Sequence, residues 1–284
     1  MKVFAIKRAF SLIELSVVLI IVSILMVAIV KGSDLIAQSR IAAAAKKTAQ
    51  SPVLKIDGLA IWFETTLKNS IADRQKKDGG KVNNWYDNSG RNPNAILSAA
   101  QNTSANQPNY VADAFNGLPA LQFDGVDDYL NFDGSAITNG NYSVFVVEQR
   151  SNDNNNGFIG STSSAGLFLR YIGSDKIQHK LGSDGGEFNS DVADFNNPKP
   201  QISAFIHNHL ANPQKSSFIN GVAAATLADA ATISEYSGGL IGAHDENNTF
   251  DGLIAEVIMF SKALTDQERK DVERYLLDKY DIGG

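Results

Sequence analysis

The chain has 284 residues, a formal net charge of −6 at pH 7 and no cysteine, with a sequence pI near 5.2. An acidic balance of this kind offers no basic surface for nucleic acid, so no nucleic-acid partner is expected. The lack of Cys excludes thiol chemistry, Cys-ligated metals and disulfide staples, so the fold must rest on its core, which a chain this long can bury.

The first element is apolar. Behind a short basic head, Lys2, Lys7 and Arg8, residues 10–30 carry one charge, Glu14. A run of roughly 20 apolar residues crosses a hydrocarbon core of ~30 Å as a helix. Leu, Ile and Val on every turn leave it no polar face. The basic head keeps the N-terminus cytoplasmic, so everything after Lys31 is exported. A carboxylate inside such a helix costs on the order of 3 kcal/mol in lipid and calls for a partner. Beyond the span, Leu35, Ile36, Ile41 and the alanines at 42–45 continue a helical stripe. The spacing predicts one helix over 10–49 with Gly32 as its soft spot. Ser51-Pro52 ends it, and residues 51–53 are a linker.

A small residue, then Phe, then L-I-E-L at the head of an apolar run resembles the leader and methylation motif of type IV prepilins. The resemblance implies a leader at 1–9 and a pilin helix at 10–50, spanning the inner membrane at 10–30 before assembly. A prepilin peptidase would cut between Ala9 and Phe10 and methylate the new amine of Phe10. Glu14 would then face the amine of a neighbouring pilin subunit in a filament, where buried opposite charges satisfy each other. Ala9 stands where that family usually has Gly. It adds one methyl, so slower processing is expected rather than none. The plainer alternative is an uncut signal anchor or a secretory signal peptide, but the latter's apolar core of about 7–15 residues is shorter than this run.

From Val53 onward, short apolar runs alternate with Gly, Asn, Asp and Ser clusters. Runs at 59–63, 120–123, 129–132, 142–148, 166–172, 176–181, 202–207, 216–219, 239–242 and 253–260 read as strands. Many strands at this spacing, with no helices between, predict two packed antiparallel sheets. Residues 144–147 and 254–260 are apolar on both faces, as central strands covered on both sides are. In the closing stretch Thr265 and Glu268 form a capping box. Val272, Tyr275, Leu276, Lys279 and Tyr280 then recur at helical spacing, predicting a short amphipathic helix on the sandwich.

LAIWF with VNNWYDNSG, then NGLPALQFDGVDDYLNF, then FDGLIAEVIMFSKALTDQERKDVERYLLDKYDI resemble the concanavalin A-like, laminin-G-type jelly-roll family of bacterial surface proteins. The resemblance covers 54–284. With the first segment it implies an N-terminal transmembrane α-helix followed by an all-β two-sheet jelly-roll sandwich with a short C-terminal helix. Fold motifs of this kind specify a ligand much less than they specify a fold.

Asp124, Asp127 and Asp128 place three carboxylates on one tight loop. Either a cation shares them, with Ca2+ as the natural oxygen-liganded guest, or Asp124-Gly125 is a turn whose side chains accept from backbone amides. Asp87-Asn88-Ser89-Gly90 reads as a turn. The stretch 151–157 lacks the Glu of a calcium loop and is an exposed loop. Loops at one end of a sandwich carry polar donors. Asn154, Asn155, Asp245 and Asn247 are therefore candidates to face a glycan or surface polymer, with Tyr129 and Phe158 the nearest aromatic rings in sequence. His207 and His209 have a metal-compatible alternation, but no carboxylate or third His is near in sequence, and an exposed strand end is expected. His179 and His244 stand alone. There is no nucleophile elbow, phosphate-cradling Gly loop or H-E-x-x-H. The E-x-D-x-x-E strand of glycosidases on this sandwich is also missing, so no catalysis is expected. Two functions follow: an adhesive filament subunit, minor or tip given so large a head, or a purely structural pseudopilin of a type II secretion or pilus machine with no ligand.

Overall fold

Helical signals that run without a break from the apolar segment into the alanine-rich one give a single helix, α1, Leu12–Gln50. It passes through Gly32 without interruption. The computed structural model describes residues 12–90, 98–137, 140–151, 157–173, 176–182, 188–191, 199–229, 231–233, 235–245 and 248–283. The cleavage pair Ala9 and Phe10 lies outside them. The two serines in the apolar run turn their hydroxyls back onto the helix: Ser16 Oγ donates to Ile13 O and Ser23 Oγ to Leu19 O. That removes the cost of a free donor in an apolar surrounding. The first half of α1 stands clear of the rest, with Leu12 86% and Val22 42% exposed. Its far end is different, for Ala44 and Thr48 are buried against the β structure.

Among the described residues the β structure is two large antiparallel sheets and a small hairpin. The first sheet runs Val222–Leu227, Lys215–Ile219, Gln201–His207, Tyr142–Arg150, Asp251–Phe260, Leu118–Asp124, Asn109–Phe115, Gly80–Lys81, with Leu59–Glu64 also paired on Asp251–Phe260. The second runs Phe188–Asp191, Lys176–Leu181, Leu167–Ile172, Gly157–Ser161, Gly239–Ile241, Leu130–Phe132, Ser98–Ala100, Asn84–Tyr86. Seven of these strands match none of the runs read from sequence, Val222–Leu227 and Gly157–Ser161 among them. Val222–Leu227 follows Asn220-Gly221, whose φ values of 51° and 80° match the turn that closes a two-residue hairpin. Gly157–Ser161 was hidden by its glycines, which look like turn residues.

Tyr142–Arg150 and Asp251–Phe260 sit at the centre of the first sheet and are covered on both sides, as expected. Val144, Val146, Ile254, Val257 and Met259 face the second sheet in one core. Phe145, Val147, Ile258 and Phe260 face away, under the closing helix α2, Asp266–Tyr280. A register shift between Ile254 and Glu256 lets Ala255 and Glu256 share the α2 side. The capping box at Thr265 and Glu268 is formed in full.

Three elements meet at a buried ionic cluster. Glu64 and Glu256 are directly opposite in register on neighbouring strands, and like charges so placed repel. Lys279 of α2 lies between them, its Nζ donating to Glu64 Oε2 at 3.0 Å and Glu256 Oε2 at 2.7 Å. All three side chains are closed to solvent. Glu256 also accepts from Trp62 Nε1, Tyr275 Oη and Tyr280 Oη. Burial alone would raise the pKa of Glu64, but Lys279 and donors from Ser70, Thr66 and Leu67 N hold it below the ordinary value. Burial likewise opposes the charge of Lys279, and the two carboxylates more than offset it, raising its pKa. Thr48 of α1 joins by accepting from Tyr275 Oη at 3.2 Å, and Lys47 pairs with Asp278 at 3.0 Å.

Candidate ligand-binding face

Three loops converge at one end of the sandwich. Asp251 pairs in register with Asp124, and Gly252 with Arg150. Ser151 N donates to Asp251 O at 2.8 Å, Gly125 N to Phe250 O at 3.0 Å and Phe250 N to Gly242 O at 2.8 Å. The acidic loop, the start of the 151–157 loop and the hairpin of Ala243–Asp245 with Asn248–Thr249 are thus neighbours. Asn154, Asn155 and Asn247 lie outside the described residues. Asp245 is described and already engaged: its two oxygens accept from Asn248 Nδ2 at 2.9 and 3.0 Å, and Oδ2 is 3.1 Å from His244 Nδ1.

The acidic loop is a turn with a cation of its own. Asp124 Oδ1 accepts from Val126 N at 2.9 Å and from Asp127 N at 3.3 Å. The three aspartates bring one oxygen each within 4.8 Å of one another. Asp128 is fully buried, and its Oδ2 has no hydrogen-bond partner. Burial, then the charge of Asp124, push its pKa up to about 6, against the pull of Lys81. Lys81 Nζ lies 3.5 Å from Asp128 Oδ1. An all-oxygen donor set suits Ca2+, but lysine already supplies positive charge there. Asp87 likewise shapes a turn, its Oδ1 accepting from Trp62 N and Ser89 N.

Several side chains sit elsewhere than their sequence neighbours imply. Phe158 is not a sugar platform, because it is fully buried between the sheets against Tyr171, Phe205 and Phe250. Tyr129 is half-buried. His207 is not at an exposed strand end. Its strand is covered on both faces, so the ring is buried, donates through Nδ1 to Gly140 O and stacks on Tyr142 at 5.2 Å. His179 does not stand alone either: its Nε2 and Tyr142 Oη share a hydrogen bond at 2.5 Å. Burial lowers the pKa of both histidines. His209, exposed, lies outside this group, so His207 and His209 do not form a metal pair.

The outer face of the second sheet holds a group that sequence reasoning missed. A Cβ at Gly157 would lie 2.2 Å from His244 N, and one at Gly160 2.1 Å from His244 O. Glycine is required there because the hairpin lies directly on that strand. This places the His244 ring on Phe168, centroids 4.7 Å apart. Arg170, two residues along on the same face, is opposite Gln178 and donates through Nε to Gln178 Oε1 at 2.6 Å. Gln178 is fully buried and its Nε2 has no hydrogen-bond partner. Burial, with Arg170 and Lys180 nearby, holds the His244 pKa below its ordinary value despite Asp245. The signal was the alternation itself. Leu167, Leu169 and Tyr171 point into the core, which sends Phe168 and Arg170 outward.

A family model described as the concanavalin A-like lectin/glucanase superfamily matches residues 124–268. Trypanosoma rangeli sialidase in complex with sialic acid superposes with a TM-score of 0.53 at 15% identity, covering 78% of this chain and 33% of that one. The chain thus spans about a third of the sialidase it resembles. Domain 4 of an extracellular arabinanase from Geobacillus stearothermophilus, in complex with arabinotriose, gives 0.50 at 14% identity, over 76% of this chain and 98% of that domain. Likenesses at such identities speak to fold alone. No curated protein sequence matches. A two-sheet sandwich closed by a terminal helix, matched by that model over half its length, makes the chain a member of the concanavalin A-like lectin/glucanase superfamily.

Proposed function

We propose that the chain is a type IV pilin-like filament subunit whose jelly-roll head binds a glycan. One observation carries the first half. The same unbroken helix that is bare and apolar from Leu12 is packed into the head at Ala44 and Thr48. An 18-residue window of it has mean hydropathy 3.0, with none of it buried. A helix of this kind serves as a membrane anchor before assembly and as the stacking element afterwards. A prepilin peptidase and neighbouring pilin subunits are the partners this requires. The glycan half draws on the superfamily, on the sialic acid and arabinotriose bound in the two similar structures, and on the polar loop cluster. A binding head without catalysis fits the carboxylate pair Glu64 and Glu256, which Lys279 bridges and the fold closes to solvent.

Mass spectrometry of assembled protein tests the filament role: the expected N-terminus is methylated Phe10, and an intact Met1 would overturn it. Glu14→Ala should insert into membranes at least as well, since a carboxylate in lipid costs on the order of 3 kcal/mol. It should assemble poorly, since a neighbour's amine loses its counter-charge. Normal assembly by the mutant would refute the role of Glu14.

A further inference from the structure

We infer, resting on the glycan-binding reading above, that the outer face of the second sheet takes a sugar bearing a carboxylate, with Arg170 as its anion-binding group. A guanidinium has five N–H donors in a rigid fork suited to two carboxylate oxygens. Here Nε is committed to Gln178 Oε1 at 2.6 Å. Among the described residues no other hydrogen bond or ion pair engages this guanidinium, which leaves the four Nη–H donors for a ligand. Arg170 as a residue is half-buried.

The support beneath Arg170 is what separates it from a surface arginine. Gln178 is fully buried, and one arm of its amide is unsatisfied. An unpaired buried donor is a cost that native folds rarely keep without a use. Its other arm holds Arg170, so the use is orientation, which lowers the entropy lost when the fork closes on an anion. Charge on the same face agrees. Lys180 lies in the same outward row, and His244 is close enough to both cations for its pKa to be lowered. Asp245, the acid beside them, is occupied by Asn248 and His244. With His244 Nδ1 turned to Asp245, its Nε2 is an acceptor for a sugar hydroxyl. The chain as a whole carries −6, so diffuse attraction does not bring an anion here and a local site is needed.

The test uses the full chain in detergent micelles and matched probe pairs: sialyllactose with lactose, and trigalacturonate with its methyl ester. The acidic member of at least one pair should bind about tenfold more tightly or better, the size expected of a charged hydrogen-bonded pair. Arg170→Gln should erase that preference in a chain that still unfolds cooperatively, with a somewhat lower melting temperature because Gln178 loses its donor, and Arg170→Lys should retain part of it. Equal binding of acidic and neutral members, or an acidic preference that survives Arg170→Gln, overturns the inference and leaves the glycan reading standing. Failure to bind these probes and a broad neutral glycan array overturns both.

Discussion

Glu148 lies between the sheets with three donors on a single oxygen: Tyr171 Oη at 2.7 Å, Gln201 Nε2 at 2.9 Å and Ser203 Oγ at 2.9 Å all reach Oε1. Oε2 is buried with no hydrogen-bond partner. Burial, only partly countered by those donors, pushes its pKa from 4.5 up to about 7. A raised carboxylate lets the folded state hold a proton that the unfolded chain has already lost. Stability therefore falls as pH rises from about 4.5 to about 7, and the loss is complete above that. Glu148→Gln keeps the neutral shape and lacks the titration. It should gain on the wild type between pH 5 and pH 8 by up to about 3 kcal/mol, read from urea unfolding at the two pH values. Asp128 belongs to the same class, with Lys81 as a partial partner. Calcium should leave the wild-type melting temperature unchanged at neutral pH, and Asp128→Asn should melt no lower. A calcium-induced rise that the mutant loses would instead identify a bound cation, since a ligand of the native state raises its stability by mass action.

At the scale of elements, the junction of α1, α2 and the first sheet depends on one lysine serving two carboxylates. A buried pair is weak evidence of net stability, but breaking one leaves an uncompensated charge. Lys279→Met would leave Glu64 and Glu256 facing each other across adjacent strands without their cation. The expected loss is about 3–5 kcal/mol, measurable by chemical denaturation. A loss under ~1 kcal/mol would mean that the surrounding hydroxyls and indole carry the two charges unaided. Gly117 marks how closely α1 approaches: it has φ 84°, and a Cβ there would fall 2.5 Å from Arg40 Nη1. The Asn116-Gly117 turn thus serves both its hairpin and the seat of the helix.

At the scale of the whole molecule, what could be read from sequence was what is local. The Thr265 capping box spans four positions and formed as expected. The two-sided apolarity of the central strands correctly implied a cover on each face. The ionic cluster was invisible, since Glu64 and Lys279 are 215 positions apart: helical spacing put Lys279 on the apolar stripe of α2, but nothing local named the two carboxylates it meets. His207 was misjudged because a polar residue at a strand end usually faces water, whereas here Tyr142 and Gly140 enclose it. The Arg170 site fell between the two cases: alternation gives the outward direction, but only the fold lays His244 over Phe168 beside it.

The placement of α1 has a mechanical consequence. The helix and α2 cover the outer side of the first sheet, while Arg170 is on the outer side of the second. In the filament proposed above, with a glycan held at Arg170, tension between the two would pull across the thickness of the sandwich. The load path then crosses interdigitated side chains and ends at the Lys279 rivet and the Lys47–Asp278 clasp. Under tension the first part to yield should be the grip of α1 on the head, so the tether's rupture force would be set at that joint more than at the sugar.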